Sequence, residues 1–143
     1  MRVENSSRHT IIVEQTEVAN SVWMQTKGLM FKRHIPINSG LLMVFREEKH
    51  HGIWTMGMRF PIDIAFISSD WRVVDIVENA RPIGINPKTW KIYTPEKPCK
   101  YVLEMNAGIL KKSGTKKGDV ISFKPLFVGL KDMTSPFFVP DFF

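Results

Sequence analysis

Residues 53–67, IWTMGMRFPIDIAFI, form a dense apolar stretch broken by one acidic side chain, Asp63, directly after Pro61-Ile62. Proline cannot donate to a sheet ladder, so Pro61 belongs at a strand start or edge, and residues 63–68 are predicted as the strand behind it. Side chains alternate along a strand, so Asp63 shares a face with Ala65 and Ile67, while Ile62 and Ile64 point the other way. A carboxylate in such a run is costly unless something pairs with it or solvates it. Asp63 is therefore the landmark of any site this segment builds.

Other runs of the same length surround it. Residues 9–15, 41–45, 72–78, 99–105 and 120–123 read as strands from their β-branched and aromatic content. Ser69-Asp70-Trp71 makes a hairpin-like turn, and short turns of this kind join antiparallel neighbours. Residues 51–58 alternate, with Trp54, Met56 and Met58 on one face. Within residues 16–30, Val18, Val22 and Trp23 suit a short helix, with Thr16 or Asn20 as its cap and Gly28 as its stop. Residues 107–113 make one or two helical turns, stopped by Gly114. The charged run Arg46-Glu47-Glu48-Lys49 is predicted as a turn or exposed loop. Residues 79–98 form a long connection with four prolines, Pro82, Pro87, Pro95 and Pro98, and loops of that length are either functional or disordered.

The expected architecture is mostly β: an antiparallel sandwich or partly closed barrel with two short helices, in one domain over residues 1–124. Residues 125–143 follow as a separate tail holding five phenylalanines and three prolines. That much aromatic surface is rarely left loose, so the tail is expected to pack on the fold, or to exchange between copies and make a homo-oligomer.

A chain of 143 residues with 43% apolar content and four tryptophans has the material for one core. No run approaches the roughly 18 to 20 apolar residues of a membrane span. The N-terminal residues lack the apolar segment of a secretory signal, and the single cysteine, Cys99, excludes an intramolecular disulfide and any multi-cysteine zinc or iron–sulfur cage. These features point to a cytoplasmic protein without membrane association. The net charge of +6 is local: residues 1–80 balance to zero, whereas residues 81–124 carry ten basic against three acidic side chains. Such a surface attracts anions. Nine of those ten are lysines, which weakens the case for nucleic acid, where arginine's bidentate fork is favoured. Nucleic acid is thus a disfavoured partner but stays open.

The order of motifs resembles one known family. Lys27-Gly28-Leu29-Met30 followed by Gly40-Leu41-Leu42-Met43-Val44-Phe45 is similar to its "GLM … GMLFVF" signature. Trp54-Thr55-Met56 and Pro61-Ile62-Asp63-Ile64-Ala65-Phe66-Ile67 resemble its "FWMKNT-x-xPLDIxFI" block, and Arg72-Val73-Val74 its "GRVV". Tyr101-Val102-Leu103-Glu104, Ala107-Gly108 and Gly118-Asp119-Val120 match its closing "YVLE … AG … GDxV". The family is the one called domain of unknown function 192, and the likeness spans about Thr16 to Phe123. It implies a compact, mostly β fold with short helices and brings no established activity. Where the family has Lys-Asn after Trp-x-Met, this chain has Gly57-Met58, so no polar role carries over there. Residues 86–90, Asn-Pro-Lys-Thr-Trp, replace a cysteine-containing loop of the family, so no cysteine chemistry carries over either.

Asp63 has two readings. It accepts backbone N–H groups or pairs with Tyr93, Tyr101 or Arg59, the commoner fate of a buried carboxylate, or it anchors a ligand on the floor of a pocket. Asp75 and Glu104 are the carboxylates a β fold can bring beside it, but the sequence places neither. His50, His51, Met56 and Met58 combine ligands suited to Cu(I). A core stripe explains the methionines more simply, so no metal or other cofactor is expected. Cys99 has no flanking motif of a nucleophile. The reading that gathers most of these residues is a non-catalytic binding module for a small polar or anionic ligand. Asp63 is its polar anchor, and Trp54, Met56, Trp90 and Tyr93 supply contacts. The alternatives are an interaction or oligomerisation module acting through the tail and, more weakly, a hydrolase using Asp63.

Overall fold

The computed structural model describes residues 1–125 apart from Phe31 and Ile85. The phenylalanine-rich tail beyond Pro125, and the packing or exchange expected of it, lie outside the described residues. Strands come first: β1 (Arg2–Asn5), β2 (Thr10–Val13) and β3 (Gln15–Ala19), then helix α1 (Val22–Lys27). The long strand β4 (Ser39–Lys49) precedes β5 (Ile53–Trp54), β6 (Ile62–Ile67) and β7 (Val73–Ala80). A 3-10 turn at Pro87–Thr89, β8 (Ile92–Tyr93), β9 (Cys99–Asn106), α2 (Ile109–Ser113) and β10 (Ile121–Lys124) complete the order.

The centre is a five-stranded sheet in the order β3-β4-β9-β6-β7. Its three inner strands are buried on both faces, which is why they read as continuous apolar runs. Alternation sorts their side chains into two cores. Leu42, Val44, Ala65, Ile67, Tyr101, Leu103 and Met105 face one way. They meet Val3, Ile12, Val13 and Ile121 of the three-stranded sheet β10-β1-β2, which covers that face. Leu41, Met43, Ile62, Ile64, Phe66 and Val102 face the other way, under Leu29, Ile35, Ile53 and Met58. Trp71 closes the first core, its ring stacked on Tyr101 with centroids 4.2 Å apart.

The mostly β expectation holds, and among the described residues no sheet closes into a barrel. The large sheet is mixed, not purely antiparallel: β3 pairs parallel with β4 over Gln15↔Ser39 to Ala19↔Met43. Three strands went unread in the sequence: β1, β3 and β8, the last inside the 79–98 connection. β1 is short and polar and lies between β10 and β2, and β3 takes the first four residues of the segment expected to be helical and forms the edge of the large sheet; pairing, not propensity, makes both strands. The helix is confined to Val22–Lys27, and its cap is Ser21, whose Oγ accepts the Met24 N–H at 3.3 Å, instead of Thr16 or Asn20. Gly28 ends it as expected, its N–H donating to Met24 O at 2.9 Å. Arg46–Lys49 are not a turn but the exposed end of β4. Of the alternating segment 51–58 only Ile53 and Trp54 pair, with Tyr93 and Ile92 of β8. That pairing ties the long 79–98 connection to the fold. Among the described residues, no helix is long and apolar enough to cross a membrane.

Candidate functional site

Asp63 is completely buried, and both its oxygens are taken. Oδ1 accepts the Asn79 N–H at 2.9 Å, and Oδ2 accepts Gly108 N–H at 3.0 Å and Leu110 N–H at 2.9 Å. Helix α2 begins with Gly108 as its cap residue, which has no side chain to satisfy the first N–H groups. The carboxylate from β6 does that work from outside the helix, in keeping with the preference for negative charge at a helix N-terminus. Asp63 thereby joins β6, the end of β7 and the start of α2. Of the two sequence readings, this geometry is the structural one, with backbone N–H groups as the partners rather than Tyr93, Tyr101 or Arg59.

A cleft of about 330 Å³ lies on the opposite face of the sheet. Its walls come from the end of α1 and the following loop (Gln25 to Met30), from Met43 and Phe45 of β4, and from residues 52–58. Four methionines, Met30, Met43, Met56 and Met58, contribute thioethers, and Trp54, 43% exposed, stands at the mouth. Gln25 sets the helix over the sheet by donating from Nε2 to Val44 O at 2.6 Å and Ala19 O at 3.2 Å. Gly28 follows at φ +49°, a backbone conformation that disfavours any Cβ. A Cβ there would also sit 3.2 Å from Met43 Cε and 3.5 Å from Glu104 Oε2.

Glu104 is the acidic residue of the cleft. It projects from β9, the middle strand, between Leu41 of β4 and Ile64 of β6. It is 3% exposed; one carboxyl oxygen accepts the Leu29 backbone N–H, and among the described residues Oε2 has no hydrogen-bond partner. Burial raises its pKa to about 7, only partly offset by the Leu29 N–H. Near neutrality the carboxyl is therefore divided between its charged and neutral forms. Lys27, exposed at the end of α1, is the other titratable side chain among the described residues lining the cleft.

The structure thus brings Trp54 and Met56 to the cleft and leaves three of the expected contact residues outside it. Asp63 lies on the far face. Trp90 is 50% exposed and donates from Nε1 to Gly84 O at 3.0 Å, which folds the proline-rich loop on itself. Tyr93 packs partly buried against the second core, with Lys91 Nζ 4.9 Å from its ring centroid. The sequence reasoning missed Glu104 as the polar group of the cleft, although it carried the same signal as Asp63: an acid inside a buried-strand run.

The remaining candidates have ordinary roles. His51 stacks on Phe45 at 3.8 Å, and its Nε2 lies 2.8 Å from Glu47 O. Among the described residues no group of three or more histidine, cysteine or acidic side chains is placed to hold a metal. Cys99 is fully buried, and burial pushes its thiol up to about 11. Part of the basic excess is paired: Lys117 with Glu96 at 3.0 Å and Asp75 at 3.5 Å, and Lys124 with Glu4 at 2.6 Å.

A mixed five-stranded sheet with a second sheet on one face and a thioether-lined cleft on the other defines a small, mostly β domain. The chain belongs to the family of uncharacterised ACR proteins, domain of unknown function 192, whose family model matches residues 2–123. Two UPF0127 relatives carry no activity in their names. A UPF0127 protein of Pyrococcus abyssi is 36% identical over 121 residues, covering 83% of this chain and 94% of the relative. A UPF0127 protein of Thermococcus kodakarensis is 27% identical over 113 residues, and the match spans 78% of this chain and 66% of that longer protein. The crystal structure of a protein of unknown function from Novosphingobium aromaticivorans superposes with a TM-score of 0.74 at 27% identity, over 85% of this chain and 82% of the other.

Proposed function

We propose that this protein is a non-catalytic binding module that takes a small, largely apolar ligand with one polar group into the cleft beneath α1. The observation that carries this reading is Glu104 Oε2, a buried acceptor without a partner among the described residues, in a recess walled mainly by methionines, Leu29, Phe45, Ile53 and Trp54. Most buried polar atoms are satisfied within the fold, and a group left unsatisfied costs about 1–3 kcal/mol. A ligand that supplies the missing partner recovers that free energy. Apolar walls with one or two placed polar groups are the usual make-up of a small-molecule site. A lone carboxyl without a neighbouring base or nucleophile favours binding over catalysis. The anchor is Glu104 in place of Asp63, because Asp63 is fully buried away from the cleft and both its oxygens already accept backbone N–H groups.

Thermal unfolding against a panel of small molecules tests this. A ligand at a hundredfold its dissociation constant adds about 2.7 kcal/mol to stability. The shift is expected to disappear in Glu104→Gln and to survive in Asp63→Glu variants that still fold. A panel without any shift removes the reading.

A further inference from the structure

We propose, building on that binding reading, that the cleft selects a small organic ammonium cation whose N–H pairs with Glu104 Oε2 and whose apolar substituent lies against Trp54 and the methionines. Three observations converge. The unpartnered atom is an acceptor on a group that can carry negative charge, so it calls for a donor, and a charged donor most of all. The walls offer no counter-charge of their own at that depth. On the elements packed against Glu104, Leu41 and Met43 of β4, Ile64 of β6 and Ile53 of β5 are uncharged, and Asp63 faces the other side of the sheet. Among the described residues Lys27 is the one cation lining the cleft; it sits exposed at the helix end and is not among the groups that shift Glu104. Finally, the walls are polarisable: thioether sulfur and the indole face both attract a cation with apolar substituents.

Access is local. Met43 Cε and Glu104 Oε2 both lie within 3.5 Å of the same point above Gly28. The Met43 methyl is the free end of a flexible side chain, and its displacement uncovers the oxygen.

The charge state makes the inference measurable. With Glu104 titrating near pH 7 when free and ionised when bound to a cation, binding releases a proton to the solvent. Affinity then rises about tenfold from pH 6 to pH 8. Benzylammonium, which stays charged across that range, and benzyl alcohol, its neutral analogue, serve as probes. Calorimetric titration of the full chain, in buffers of different ionisation enthalpy, reads both affinity and proton release. The expected result is that benzylammonium binds more tightly than benzyl alcohol, gains about tenfold towards pH 8, releases close to one proton at pH 6, and loses this dependence in Glu104→Gln. The pH profile of the unaltered protein stands even where that variant fails to fold. Trp54→Ala, at an exposed position, should weaken binding without changing the proton count. Benzyl alcohol binding better, with affinity falling towards pH 8, would show the protonated carboxyl acting as a donor; the cation inference falls and the binding reading stands. Stabilisation by some other panel member with no response to either probe has the same meaning. Silence from every ligand overturns both.

Discussion

Asp63 and Glu104 stand on adjacent paired strands, one register position apart, yet on opposite faces of the same sheet. Asp63 is paired with Met105 and Glu104 with Ile64. The first carboxylate accepts three backbone N–H groups; the second has one oxygen with no partner among the described residues. Two acids in similar strand settings thus differ in what they meet: one holds three backbone N–H groups, and the other is buried with an oxygen left over.

The stability of the protein should fall as pH rises through neutrality. Glu104 is raised from the ordinary glutamate range to about 7 by burial. The folded state therefore holds its proton over a window, from about pH 4.5 to pH 7, in which the unfolded chain has lost it. The stabilising contribution is complete below that window and gone above it. About 1.4 kcal/mol per unit makes the difference on the order of 3 kcal/mol. Chemical denaturation of the unaltered protein between pH 4.5 and pH 8 should show the decline, and Glu104→Gln should flatten it. A profile that is the same in both proteins would contradict a buried, titrating Glu104.

Asp63→Asn should destabilise by about 3 kcal/mol at neutral pH, because the amide offers one acceptor oxygen where three N–H groups need partners, and its own NH₂ opposes one of them. Hydrogen–deuterium exchange localises the effect. Protection should be lost first at Gly108 and Leu110, the start of α2, and at Asn79. Unchanged exchange at those amides would mean that Asp63 does not hold them.

Cys99 should resist alkylation until the protein unfolds. The thiol is fully buried and raised to about 11, so almost none is thiolate at pH 8. Maleimide labelling followed by mass is expected to be slow in the native protein and complete in denaturant. Fast native labelling would place the thiol at the surface.

The inner strands were legible in the sequence because they are buried on both faces. Residues 41–45 are an unbroken apolar run, residues 63–67 and 99–105 are apolar apart from Asp63, Lys100 and Glu104, and a strand is the element that buries both sides of so short a segment. The strands that failed to register are those whose identity comes from a neighbour. Gln15–Ala19 is polar at alternate positions and becomes a strand by pairing parallel to β4. Arg46–Lys49 extends β4 into solvent because the backbone ladder continues, whatever the side chains. In the cleft, Trp54 and Met56 were found through their shared face with Met58. Trp90 and Tyr93 were not assembled with them, since a proline-rich loop's path cannot be read from its residues.

By itself, then, the sequence determined that the chain is mostly β, that residues 63–68 and 99–105 are strands, and that the first of them carries an acid that needs a partner. Those follow from local periodicity and the cost of burying charge, both properties of neighbouring residues. Only the tertiary structure decided which acid is satisfied. Helix α2, more than forty residues away in sequence, brings Gly108 and Leu110 N–H groups over Asp63, whereas the loop after α1 brings only the Leu29 N–H to Glu104. A single register step between paired strands sets the two on different faces, and the number of donors each meets there is fixed by long-range packing that no stretch of sequence contains.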